Sequence, residues 1–103
     1  MAWHDVCSTK KIDEEDVIRW DIGERTFAVY HGIDGNFYCT DGLCTHEQVH
    51  LCDGLVMDFE IECPKHNGLF DYRTGRALRA PVCEHLGIYQ TKVEEGRVLI
   101  FIE

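Results

Sequence analysis

Two short pieces of this chain decide how it is read: "DGLCTHEQVHLCDG" at residues 41–54 and "IECPKHNGLFDY" at residues 61–72. The first holds Cys44 and His46 and the second Cys63 and His66, so each piece brings one thiol and one imidazole within a few residues. Thiolate is a soft ligand and imidazole a borderline one, and two of each suit a zinc ion or an iron–sulfur centre. The fold then has a definite task, which is to hold two separate loops side by side on a rigid support.

A chain of 103 residues suits one domain, spanning 1–103, with one hydrophobic core and no room for a second catalytic module of ordinary size. The hydrophobic share of 45% is that of a globular protein. No apolar run approaches the roughly 20 residues that cross a bilayer. The opening "MAWHDVCSTKKIDEED" lacks the charged, apolar and small-residue regions of a secretory signal, which points to the cytoplasm. A formal net charge of −9 argues against nucleic acid and anionic membrane as partners and favours a positively charged docking face on another protein. In a reducing compartment thiols stay reduced, which favours metal ligation over disulfides for some of the six cysteines. Cys7, Cys39, Cys52 and Cys83 lie outside the paired motifs and read as small buried hydrophobes or inert surface thiols.

Outward from the two motifs the pattern is all-β: short β-branched or aromatic segments separated by turn signals. "VIRWDI" and "RTFAVYH" flank a turn at Gly23, and "TFAVYHGIDGNFYCT" is a hairpin turning at Asp34-Gly35. "LVMDFEIEC" alternates Val56, Asp58 and Glu60 against Met57, Phe59 and Ile61, the period of one strand with one buried face. Further hairpins turn at Thr74-Gly75 and Glu95-Gly96, and "IDEEDVI" reads as a charged approach to the first hairpin. Both motifs therefore fall on loops, one after the strand around Asn36 to Thr40, the other between a strand ending at Glu62 and one starting near Leu69.

Spacing separates the candidate ions. Zinc fingers with this donor set usually group the cysteines in one knuckle and the histidines in the other, whereas here each loop carries one of each. An all-cysteine ferredoxin set fails on counting: Cys39 and Cys44 have the right separation, but the next ligand falls on Glu47.

The pattern Cys44-x-His46, sixteen residues, then Cys63-x-x-His66 resembles Rieske-type [2Fe–2S] proteins, and among them the small ferredoxins of bacterial aromatic-ring-hydroxylating oxygenase systems. "FYCTDGLCTH", "IECPKHNGLFDYRTGRAL", the Ala80-Pro81 stretch and the closing "VEEGRVLIFIE" carry the resemblance over nearly the whole chain. It implies an antiparallel β-sandwich with a cluster-binding lobe at about 41–70 on a basal β domain, and one cluster whose first iron is held by Cys44 and Cys63 and whose second is held by His46 and His66. Such a site is neutral when oxidised and gains one negative charge on reduction, with the two histidines facing solvent as the electron exit. The implied role is an electron carrier and not an enzyme: single electrons pass from an NAD(P)H-dependent flavoprotein ferredoxin reductase to a terminal oxygenase of aromatic hydrocarbon catabolism. A mononuclear iron and its catalytic domain do not fit in this length. Nothing demands more than a monomer. The rival readings are a structural zinc module and a cluster-based redox sensor.

High-potential members of the wider family join their loops by a disulfide at the positions that are Val49 and Lys65 here, and place a serine and a tyrosine where this chain has Gly68 and Phe70. Hydrogen bonds to sulfur stabilise the reduced form, so the resemblance implies a potential near the lower end of the roughly −150 to +300 mV Rieske range. Pro81 is the candidate for a third loop shielding the cluster. Among the remaining residues, His50 reads as a solvent-exposed loop histidine and His4, His31 and His85 as surface residues. Arg73, Arg76 and Arg79 read as a solvated hairpin face, and Asp41, Asp53, Asp58 and Glu47 as a possible acidic rim around the site.

Overall fold

The computed structural model describes residues 2–103. Its eleven strands are β1 (Ala2–Ser8), β2 (Asp16–Ile22), β3 (Arg25–His31), β4 (Phe37–Asp41), β5 (Leu55–Met57), β6 (Glu60–Glu62), β7 (Leu69–Asp71), β8 (Ala77–Arg79), β9 (Ile88–Tyr89), β10 (Thr91–Glu94) and β11 (Arg97–Ile102). They form three antiparallel sheets in the orders β1-β11-β10, β2-β3-β4-β9 and β5-β6-β7-β8. Among the described residues two short 3₁₀ turns interrupt them, at Thr9–Lys11 and Leu51–Asp53. Among the described residues no helix is long and apolar enough to cross a membrane.

The apolar run in β3 explains the layering. Phe27, Ala28, Val29 and Tyr30 are all buried, because successive side chains point to opposite faces and both faces are covered. Ala28 and Tyr30 enter one core with Ile61, Phe70 and Tyr72, while Phe27 and Val29 enter another with Val98, Ile100 and Ile102 of β11. The β2-β3-β4-β9 sheet is therefore the middle layer. The β5–β8 sheet lies over one face of it, and Tyr30 stacks on Tyr72 across that boundary with ring centroids 4.4 Å apart.

The turns at Asp34-Gly35 and Glu95-Gly96 are where the sequence places them. Gly35 stands at φ +85°, and Glu95 and Gly96 are both left-handed, the backbone that twists a two-residue hairpin correctly. One expectation is corrected and one strand is added. The stretch 55–62 is two strands, β5 and β6, because Asp58 takes φ +55° and reverses the chain; Met57 is consequently exposed while Ile61 is buried. The segment from Ala2 to Ser8, given no structure by pattern, is β1 and pairs along β11. The acidic stretch before β2 is an approach, as expected, with Glu15 at φ +63° donating its N–H to the His31 carbonyl.

Candidate metal centre

Each motif is closed by its own backbone. In the first loop Leu43 pairs with His50, Cys44 N–H donates to Val49 O at 3.0 Å and Leu51 N–H to Gly42 O at 2.8 Å, so residues 44–46 ride on a tight reversal at the end of β4. In the second, Cys63 N–H donates to Gly68 O at 2.7 Å, closing the turn between β6 and β7. His66 and Asn67 inside that turn stand at φ +67° and +58°. Left-handed backbone is disfavoured for residues other than glycine, by of order 1–3 kcal/mol, so the surrounding contacts must hold this loop in shape.

The two thiols and the two imidazoles differ in burial. Cys44 and Cys63 are buried, 4% and 2% exposed, and both belong to the apolar cluster that holds Leu51, Ile61, Phe70 and Val82. Burial raises the Cys63 thiol to about 11, with the Cys44 thiol adding to the effect. His46 and His66 are exposed, with ring centroids 5.6 Å apart and planes at 70°. Ligand atoms of His46, Glu47 and His66 lie within 4.8 Å of one another. Glu47 is engaged elsewhere, since its carboxylate meets Lys65 Nζ at 2.9 Å and His66 Nδ1 at 3.4 Å, and the Lys65 contact holds its carboxyl below the ordinary range. The sequence reading placed Glu47 in a possible acidic rim; in the fold its carboxylate reaches from the first loop to Lys65 and His66 of the second.

A third loop completes the surround. Thr45 Oγ donates to the Glu84 carbonyl at 2.8 Å. Val82 is buried against Gly68, so closely that a Cβ on Gly68 would sit 2.5 Å from Val82 Cγ1. Pro81 is half-buried beside it, and the close packing is made by the valine that follows.

Several secondary expectations change. His50 is half-buried, with Nδ1 enclosed and without a hydrogen-bond partner, rather than a solvent-exposed histidine. His31 is half-buried, donating Nδ1–H to Ile12 O at 2.8 Å and stacking on Phe37, while His85 stays exposed, as expected, and its Nδ1 accepts from Ala77 N–H. The acidic rim does not assemble as one feature. Asp58 lies at the opposite end of β6 from Cys63, and Asp41 is occupied by Tyr89 and the Gly87 amide. Arg73 pairs with Asp71 and lies 4.0 Å from the Phe59 ring centroid, and Arg79 pairs with Glu62. All six cysteines are unpaired, Cys39 buried and Cys83 exposed, and the loops are not covalently joined.

Two buried thiols in an apolar floor and two exposed imidazoles fit a centre with one softer and one more borderline position, which is the chemistry of a two-iron cluster with mixed ligands. The comparisons with known proteins agree. A family model described as the Rieske [2Fe-2S] domain matches residues 2–95. The ferredoxin component of the naphthalene 1,2-dioxygenase system of Pseudomonas aeruginosa is 42% identical over 98 residues, covering 95% of this chain and 93% of the relative. Among solved structures, a ferredoxin of Sphingomonas yanoikuyae B1 superposes with a TM-score of 0.91 at 31% identity, over 99% of this chain and 100% of that one. The complex of reduced oxygenase and oxidised ferredoxin in carbazole 1,9a-dioxygenase matches with a TM-score of 0.89 at 33% identity, over 95% of this chain and 91% of that one.

Proposed function

This chain belongs to the Rieske [2Fe–2S] domain family, and on that premise we propose that Cys44 and Cys63 hold one iron, His46 and His66 the other, and that a flavoprotein reductase supplies the electron. The chain is an electron-transfer ferredoxin with a single Rieske-type cluster, a component of a dioxygenase system and not its catalytic enzyme. When bound, the cluster supplies a site that takes up and gives back one electron.

The observation that supports this ligand set most is the split in burial between the two donor pairs. Cys44 and Cys63 lose their protons on ligation, and their negative charge is then held in an apolar floor, where attraction to a cation is least screened. His46 and His66 leave an imidazole edge each at the surface, which gives a docked partner its shortest approach. The two loops need not move for that approach, since their backbone bonds and the Thr45–Glu84 contact hold them closed. The net charge of −9 suits a partner with a basic docking face and disfavours nucleic acid. This reading makes the chain a cytoplasmic monomer of one domain, serving an oxygenase that hydroxylates aromatic rings.

The test is reconstitution with the reductase and oxygenase of a naphthalene 1,2-dioxygenase system. NAD(P)H-driven reduction of the oxygenase is expected to depend on added chain and to slow with rising salt. Oxygenase reduction at one rate with and without the chain sinks the proposal.

A further inference from the structure

One guanidinium grips both ends of the segment that carries Cys63 and His66. Glu62, Leu69 and Arg79 stand in one row across β6, β7 and β8, and Arg79 reaches over Leu69 along that row. Its Nη2 meets Glu62 Oε2 at 2.7 Å, and its Nε donates to the Asn67 carbonyl at 2.9 Å. Glu62 immediately precedes Cys63, and Asn67 immediately follows His66. An ordinary exposed ion pair would add little and would touch one point only. Here the pair comes with a backbone bond to a left-handed residue, at the place where the chain most needs support. Arginine suits both contacts because its planar fork fixes two donors in different directions, which the single ammonium of lysine does not.

We propose that Arg79 is a positioning residue that holds the Cys63–His66 segment closed and so sets where the His66 ring stands. The proposal rests on the ligand assignment above. It goes beyond the motif, because Arg79 lies on a different strand and touches neither cysteine nor histidine.

Two readouts test it. In the protein as purified, amide hydrogen exchange over residues 63–68 is compared between the natural chain, Arg79→Ala and Arg79→Lys. In the loaded protein, the rate of iron loss to a chelator and the resonance spectrum of the reduced cluster are compared in the same three. Arg79→Ala is expected to keep its β content, to speed local exchange and iron loss by about threefold to tenfold, the range of one ordinary net hydrogen bond at an exposed site, and to shift the reduced spectrum. Arg79→Lys restores part of each. Glu62→Gln, which leaves the Asn67 bond in place, has the smaller effect and serves as the second variant should Arg79→Ala fail to fold. Unchanged exchange in Arg79→Ala, acceleration spread evenly through β5–β8, or a Glu62→Gln effect as large as the alanine change would each overturn the proposal. The exchange measurement needs no cluster, so it decides Arg79 even if the loaded protein lacks the mixed-ligand signature and the ligand assignment fails.

Discussion

At Gly68 the space for a side chain is already taken by Val82, whose two methyl carbons would lie 2.5 and 3.3 Å from an added Cβ. The second loop and the third therefore fit together only because residue 68 has no side chain. Gly68→Ala is expected to destabilise the protein by about 1–3 kcal/mol, the usual range for overpacking. Val82→Ala in the same chain should recover a large part of that loss, because the two changes share one contact. Urea unfolding of the single and double variants measures both, and a Gly68→Ala protein as stable as the natural one contradicts the packing. The four residues proposed as cluster donors stand out in the sequence because a metal requires particular donor types at short spacing. Gly68–Val82 and Arg79–Asn67 were not, since each joins positions on different elements and leaves no local pattern.

Between the loops, Lys65, at one of the two positions that a disulfide joins in high-potential members of the family, makes an ion pair with Glu47 and not with Val49. Lys65 and Glu47 meet at 2.9 Å, but their side chains are 56% and 31% exposed, so water and salt screen the attraction. Lys65→Met is expected to lower global stability by less than about 1 kcal/mol, because the backbone bonds of each loop carry the geometry. A larger loss in denaturant unfolding would mean that the pair holds the loops together. The hairpins were legible where Gly sits beside a polar residue at the turn, as at Asp34-Gly35. The reversal at Asp58 was hidden because apolar and polar residues keep alternating through 55–62 whether or not the chain turns there. Strand β1 was hidden for another reason: its partner β11 lies at the other end of the chain, and nothing near Ala2–Ser8 announces that pairing.

For the molecule as a whole, three packed sheets leave all four tyrosines less acidic than in water. Burial raises Tyr30 and Tyr72, and it raises Tyr89 to about 12 with help from the bond to Asp41; Tyr38 is raised by burial and by its bond to Asp34. The unfolded chain ionises its phenols near the ordinary value of about 10. The folded state thus favours the neutral form, its contribution is complete below about pH 10, and it is lost as pH climbs from there towards 12. Tyrosinate absorbance is expected to appear together with loss of the β signal by circular dichroism. Tyrosinate forming at about pH 10 with the fold intact would contradict the burial described.

The central claim is that these loops hold two irons with unlike ligands, and electron paramagnetic resonance of the purified protein after dithionite reduction, taken with its visible spectrum, tests it most directly. The account predicts a coloured protein and a reduced two-iron signal whose average g-value is lowered relative to an all-cysteine cluster, as ligation by His46 and His66 requires. A colourless, silent protein carrying stoichiometric zinc would contradict it and leave the four residues as a structural clasp.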